Sequence, residues 1–480
     1  MKRLVLALGA ATMLAGCIDL APVYRRPAPP VAASFPSGAA YAPAPATATP
    51  IVGWREFFSD PKLKRVIVQA LANNRDLRIA VANIAAAQAQ YRVQRAALFP
   101  TIAAHANATY GQQPAGVFSG GGAGGAGGAA TSNERFYDLG VGFSAWQLDL
   151  FGKVRNLTRA AQDQYFATRQ ARDEAQLLLV SQVASNYLTL SSDQSLLAIA
   201  GQTLASGQAS LDLTQKRLNA GVASGLDVDQ AQTTVQQARF DVARLTTQVA
   251  QDRNALELVV GAPVADADLP AGLGGEVAVL GRLPAAVSST VLLTRPDVLQ
   301  AEDTLRGANA NIGAARANFF PSISLTGSGG LTSLALSTLF RGAAATWSFA
   351  PAVSQTIFDF GANRGNLALA RAQREVDVAQ YEKAIQTAFR EVADALARRG
   401  TIDEQLGAQA ALTDAAHQTL ILSNARYERG VDTYLNVLIA QRTYYAAQQT
   451  LVTTRLARSL NLVTLYGVLG GGLDTPAEGG

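Results

Sequence analysis

The chain contains one long segment twice. At a constant offset of 209 residues, Arg217-Leu218-Asn219-Ala220-Gly221-Val222-Ala223-Ser224-Gly225-Leu226-Asp227-Val228 returns as Arg426-Tyr427-Glu428-Arg429-Gly430-Val431-Asp432-Thr433-Tyr434-Leu435-Asn436-Val437. The same offset carries Phe151-Gly152 onto Phe360-Gly361, Arg155 onto Arg364 and Ala231-Gln232 onto Ala440-Gln441. A tandem duplication of roughly two hundred residues constrains the architecture before any residue is given a role, because each supersecondary unit is then present in two related copies.

The N-terminus sets the compartment. Met1-Lys2-Arg3 is followed by an apolar run from Leu4 to Leu14, which reads as a secretory signal over residues 1–16. Leu14-Ala15-Gly16-Cys17 resembles a bacterial lipobox, which implies that Cys17 becomes the lipidated first residue of the mature protein. Cys17 is the only cysteine, so one chain can form neither a disulfide nor a Cys-based metal site. By the same resemblance, Ile18 rather than Asp after the cysteine favours the outer membrane. Residues 17–53 are rich in Pro and Ala, cannot build a core, and read as an extended tether leading to Trp54.

Charged residues make up 16% against 49% hydrophobic, well under the roughly 25% charged expected of a soluble domain. Outside the signal, no uninterrupted apolar run approaches the ~20 residues of a membrane-spanning helix. Any crossing after Cys17 must therefore use β-strands. Basic and acidic residues alternate without clustering, so the net charge of +4 marks no nucleic-acid surface.

Helical periodicity dominates the rest. Val183, Leu190, Leu197, Leu204, Leu211 and Leu218 lie seven apart, as do Val228, Val235, Val242, Val249 and Leu256, a spacing that supercoils partner helices. The second copy repeats this through Leu406, Leu420, Tyr427, Val437, Tyr444, Leu451 and Leu465, broken by Arg399, Thr413 and Arg458. The proline-free run from Lys153 to about Leu218 would extend on the order of 100 Å as a helix.

Each copy also carries two strand-like stretches. Thr101 to Gln112 and Phe136 to Leu150 serve the first copy, Ser322 to Leu331 and Thr346 to Phe358 the second. These suit the ~9 to 11 residues of a tilted membrane strand. The first pair is twelve residues longer between its Pro100 and Phe151 than the second between Pro321 and Phe360, an excess coinciding with the Gly-rich stretch 119–130 at a hairpin tip. Four strands cannot close a barrel, and an open edge in lipid leaves backbone groups unpaired. The chain must oligomerise, with the copy number left open by this argument.

Several stretches together carry a family resemblance. They are Ala21-Pro22-Val23-Tyr24-Arg25-Arg26-Pro27, Trp54 with Phe57-Phe58-Ser59-Asp60-Pro61, Asn73-Asn74-Arg75-Asp76-Leu77-Arg78, Leu98-Phe99-Pro100, Leu148-Asp149-Leu150-Phe151-Gly152, Arg295-Pro296-Asp297 and the two glycine turns. In this order they resemble the outer-membrane efflux lipoproteins of the TolC and OprM type, the exit ducts of resistance-nodulation-division pumps. The resemblance implies an α+β membrane protein: a homotrimer with a twelve-stranded transmembrane β-barrel, four strands per chain, continued by a long periplasmic α-helical barrel with a mixed equatorial belt. The repeats then span 54–262, with strands about 101–150 and a tip about 219–227, and 294–467, with strands about 322–359 and a tip about 428–436. Residues 263–293 connect them through the belt, and 468–480 form a flexible tail.

The same resemblance implies the functional positions. The turns Gly221-Val222-Ala223-Ser224 and Gly430-Val431-Asp432-Thr433 correspond to tips that dock a periplasmic adaptor, although Gly221 and Gly430 also suit plain helix caps. Leu435 and Arg442 correspond to the periplasmic constriction. Ile439 stands where many relatives carry an aspartate, which puts ring-type cation selectivity in doubt. Asp432 could supply a substitute ring or be a solvated turn residue.

Catalysis is disfavoured. His105 and His417 are the only histidines and sit in no recognisable acid, base and nucleophile pattern, and Asp227 and Asp229 suit the positive end of a helix. No cofactor is expected beyond the lipid on Cys17. The implied function is passive conduction of small molecules such as drugs, with a periplasmic adaptor, an inner-membrane RND-type transporter and outer-membrane lipid as partners. Metal-ion efflux and type I polypeptide secretion share the architecture, and a structural or adhesive lipoprotein is the other class.

Overall fold

The computed structural model describes residues 18–41, 53–114, 131–273 and 288–471. The signal, Cys17, the Gly-rich stretch 119–130, residues 274–287 of the inter-repeat connection and 472–480 of the tail lie outside the described residues. Two compact units are present. One contains Ala85–Phe166 and Glu302–Ala379 with the N-terminal residues through Arg26; the other contains Pro27–Ile84, Ala167–Ala301 and the chain from Gln380 onward.

In the first unit, β1 (Ala103–Pro114), β2 (Thr131–Leu148), β3 (Ser322–Ser333) and β4 (Ala345–Ser354) form one antiparallel sheet in the order β1-β2-β3-β4. The hairpin of each repeat is thus joined to the other through β2 and β3, with Leu139 opposite Leu331 and Leu148 opposite Ile323. All four expected strands are present with shifted ends. β4 ends earliest, four residues short of Phe358, and the Gln355 amide turns back to donate to the Phe319 carbonyl.

The register separates two chemistries that the one-dimensional alternation shows only weakly. Cross-strand partners share a face, so His105, Asn107, Asp138, Ser328, Thr332, Thr346 and Ser348 lie together on one side. Leu139, Val141, Leu325, Leu331, Trp347, Phe349 and Val353 occupy the other. Small residues blur this pattern in the sequence because Gly and Ala fit either side. A bulge between Phe143 and Trp146 puts Ala145 at φ 51°, and its amide donates to Thr326 Oγ1 at 3.1 Å. Every residue of β4 is exposed, and neither outer edge of the sheet has a partner strand among the described residues.

Three short helices, α1 (Trp54–Phe57), α2 (Pro61–Asn73) and α3 (Arg75–Ala96), precede the sheet. Each repeat then continues into a hairpin. α4 (Lys153–Asn219) and α5 (Gly225–Val260) form the first; after α6 (Pro296–Ala317), α7 (Ala362–Glu428) and α8 (Tyr434–Val468) form the second. α4 and α7 both run 67 residues, on the order of 100 Å at 1.5 Å per residue. Each is started by a carboxylate. Asp149 accepts from the Val154 and Arg155 amides at 3.1 and 2.8 Å, and Asp359 from those of Gly361 and Asn363 at 2.9 Å. The predicted seam is buried at Val183, Leu190, Val235, Leu256, Tyr427, Val437 and Leu465. Thr413, which breaks the pattern, is also buried, and its hydroxyl is satisfied by the Gln409 carbonyl at 2.8 Å.

The second unit gathers Trp54, Phe57, Phe58, Leu63 and Ile67 with Val264, Leu292 and Tyr466 into one core, with the Phe57 and Tyr466 rings stacked 4.1 Å apart. Among the described residues its β content is confined to isolated bridge positions, Ser34 with Ser288 among them.

Within the extended tether expected over 17–53, residues 18–26 are held in place along their length. The Ile18 amide donates to the Leu150 carbonyl at 3.1 Å, and Asn156 and Arg159 hold the Asp19 carboxylate at 2.9 and 2.8 Å. Partial burial pushes that carboxyl up, but the Ala21 amide and these two side chains outweigh it and bring it to about 2. Further along, Arg316 and Asn309 of α6 donate to the Leu20 and Pro22 carbonyls, and Tyr24 and Arg26 meet the buried Glu302. Gly313 permits this approach, since a Cβ there would lie 2.7 Å from the Ala21 nitrogen. Proline removes backbone donors but leaves carbonyls, and α6 supplies the donors that composition alone does not reveal.

Candidate functional site at the two helical turns

The two glycine turns are built alike on their incoming side. Gly221 and Gly430 adopt φ of 76° and 72°. In the first turn the Gly221 and Val222 amides bond the Leu218 and Arg217 carbonyls at 2.9 Å; in the second Gly430 and Val431 bond Tyr427 and Arg426 at 3.0 Å. This is the paired closure that lets a helix end in one left-handed residue.

The outgoing sides differ. Ser224 Oγ accepts from the Asp227 amide at 3.2 Å while Asp227 Oδ2 accepts from the Ser224 amide at 2.8 Å, a complete capping box. Thr433 takes Ser224's place without a side-chain cap, and Asn436 stands where Asp227 stood. Asp432 substitutes for the box. It accepts from Asn436 Nδ2 at 2.6 Å, the Thr433 amide at 2.9 Å and Arg426 Nε at 3.0 Å, in that order of influence, and these donors hold its carboxyl below the usual range. Asp432 is thus neither simply solvated nor uncompensated: each chain pairs it with its own Arg426.

The two hairpins are fastened to each other near the turns. Ala231, Tyr427, Tyr434, Val437 and Leu438 form a buried cluster with Leu211 against it. Arg217 lies over the Tyr427 ring, 4.3 Å from its centroid, and donates to the Tyr427 carbonyl at 3.2 Å. Arg442 Nη2 donates to Thr233 Oγ1 at 3.0 Å. Tyr445 donates to Asp241 at 3.1 Å, and burial first, then that carboxylate, pushes the Tyr445 phenol up to about 12.

With Tyr434, Val437 and Leu438 buried, the opposite stripe of α8 presents Leu435, Ile439 and Arg442 to the outside. At the turns Val222 and Val431 are each exposed to 64–65%, Gly221, Ser224, Gly430 and Thr433 are also exposed, and Ala223 is half-buried. The sequence reading missed Tyr434 and Thr233, whose roles depend on packing between hairpins. It also missed a cross-strand pair, His105 Nε2 with Asp138 Oδ1 at 2.7 Å, to which Thr332 adds a hydroxyl donated to Asp138 at 3.1 Å. The hydroxyl bonds the carboxylate and not the imidazole, so no nucleophile is activated there.

A sheet with one apolar and one polar face and two long helical hairpins, in one chain, are the build of an outer-membrane export channel. The chain matches the family described as outer membrane efflux protein over residues 66–262 and 287–471, and it belongs to that family. It is 42% identical over 474 residues to the toluene efflux pump outer membrane protein TtgC of Pseudomonas putida, covering 98% of this chain and 96% of TtgC. A membrane protein from Pseudomonas aeruginosa of known crystal structure superposes with a TM-score of 0.87 at 40% identity, over 95% of this chain and 98% of that one. The open-state MtrE outer membrane channel of Neisseria gonorrhoeae gives 0.84 at 36% identity, over 95% and 98%. The protein is an outer-membrane efflux component, and its family is one of ducts rather than enzymes.

Proposed function

We propose that three copies assemble so that β4 of one copy takes up β1 of the next, closing a twelve-stranded barrel with the polar face inward and the apolar face toward lipid. The observation that carries this reading is the sheet itself: its faces differ in chemistry and neither edge has a partner strand among the described residues. Cys17 carries the lipid, one residue from Ile18, whose amide is fixed at the end of β2. The exposed turns, with Val222 and Val431 at their tips, dock a periplasmic adaptor in complex with an inner-membrane RND-type transporter. Leu435 and Arg442 line the constriction, and Asp432, balanced by Arg426, contributes no strong cation selectivity. Cargo passes without chemistry, and the name of TtgC favours small apolar organic molecules. Reconstitution into planar bilayers, with the mass of the detergent-extracted complex measured in parallel, tests the reading. A trimer with discrete conductance steps is expected; a monomer, or a trimer without conductance, rejects it.

A further inference from the structure

Away from the turns, α4, α6, α7 and α8 line a half-open cavity of about 500 Å³ in the second unit. Its apolar wall includes Leu177, Leu178 and Val468, and its size falls within the range of small-molecule sites, roughly 300 to 1,000 Å³. Two features of the lining require explanation.

The first is a buried donor. Asn461 is only 3% exposed, and its Nδ2 has no hydrogen-bond partner among the described residues. A buried amide N–H without an acceptor is costly, and Asn461 is one of the residues that line the cavity.

The second is a charge imbalance. Glu174, Asp297, Glu391 and Asp394 contribute four carboxylates against the guanidiniums of Arg295 and Arg398. Arg295 is already committed, donating to Asp297 at 2.7 Å, Glu391 at 3.0 Å and the Val468 carbonyl at 2.6 Å. Burial first, and then the charge of Asp297 with that of Glu391, raises the Glu174 carboxyl despite Arg295 nearby.

We propose that this cavity binds amphipathic organic cations bearing a hydrogen-bond acceptor: the acceptor meets Asn461 Nδ2, the cation lies by Glu174, and the apolar body rests on Leu177 and Leu178. The inference rests on the duct reading and specifies the chemical class that lodges in the wall during passage. A cation beside Glu174 favours its ionised form, so binding tightens as pH rises through that carboxyl's titration, with Asp297, Glu391, Asp394, Arg295 and Arg398 as its charged surroundings.

Rhodamine 6G, a cation with an ester carbonyl, is the probe, titrated into the purified full-length protein and followed by fluorescence anisotropy. Wild type is expected to bind it, more weakly in high salt. Asn461→Leu keeps the branched shape and removes the amide, and is expected to weaken binding about fivefold while the melting temperature holds or rises. A structural role for Asn461 would lower it. Glu174→Gln, at a half-buried position, is expected to weaken binding and abolish its pH dependence, and decides the question if the Asn461 variant does not assemble. No dye binding by wild type, or unchanged binding in Asn461→Leu, overturns the proposal. Conductance of the same preparation separates the two readings: conductance without dye binding rejects the site alone, and its absence rejects the duct.

Discussion

Arg442 and Thr233 occupy the same position in the two repeats, and they are bonded to each other. Arg442 Nη2 donates to Thr233 Oγ1 at 3.0 Å across a sequence separation of 209, the repeat offset itself. The second hairpin therefore lies beside the first with equivalent residues level, and divergence of one position into Arg and the other into Thr made a bond that neither copy has internally.

If this contact holds the second hairpin against the first, removing either partner frees the constriction. Arg442→Ala and Thr233→Val are each expected to raise single-channel conductance, and the double variant to add little beyond the larger single effect because both delete one interaction. Leu435→Ala is expected to raise conductance as well, since Leu435 is exposed on the same stripe of α8 as Arg442. Unchanged conductance in all three would remove the gate assignment.

The left-handed glycines separate a backbone requirement from a packing one. Nothing lies within 4 Å of a Cβ built at Gly430 or at Gly407, yet Gly430 has φ 72° while Gly407 sits inside α7. Gly430→Ala is expected to destabilise by about 1 kcal/mol through the left-handed strain alone, and Gly407→Ala to stabilise by up to about 1 kcal/mol through helix propensity. Thermal melts of the two variants beside wild type check the contrast. Equal shifts would mean that the turn does not hold its residue left-handed.

The two faces of the sheet differ in tolerance. Trp347 and Ser348 are adjacent in β4 and project oppositely, Ser348 bonding Ser328 at 2.7 Å on the polar side. Trp347→Arg is expected to cost about 2 to 4 kcal/mol if it lies near the bilayer midplane and to reduce the folded fraction recovered from outer membranes. Ser348→Arg is expected to assemble and to change conductance. The reverse ranking would invert the facing of the sheet.

The repeat offset made both hairpins, both strand pairs and both turns legible, since glycine at a left-handed position and a seven-residue seam are local signals. Less legible were features written in two places at once. The polar face of the sheet depends on register, which sets His105 beside Asp138. The docking of residues 18–26 depends on Arg316, Asn309 and Glu302, nearly three hundred residues away, and no composition rule connects a proline-rich segment to donors on a distant helix. Asp432 was ambiguous in sequence because its partner Arg426 precedes the turn, and only the closed turn brings the two within 3.0 Å.

Asp193 of α4 and Asp252 of α5 give the first hairpin a pH dependence of known sign. Burial first, then a hydrogen bond shared with Asp252, raises the Asp193 carboxyl from 3.8 to about 7, with Arg244 opposing. A carboxyl raised on folding binds its proton more tightly in the native state, so its stabilising contribution is full below about pH 4 and is lost as pH climbs through about 7. Asp193 remains partly open to solvent, which screens the effect to the order of 1 kcal/mol. Asp193→Asn, uncharged at every pH, is expected to melt higher than wild type above pH 7 and no higher near pH 4. Melting temperatures of both proteins across that range decide it, and a gap that widens toward acid would show that Asp193 is held as a carboxylate.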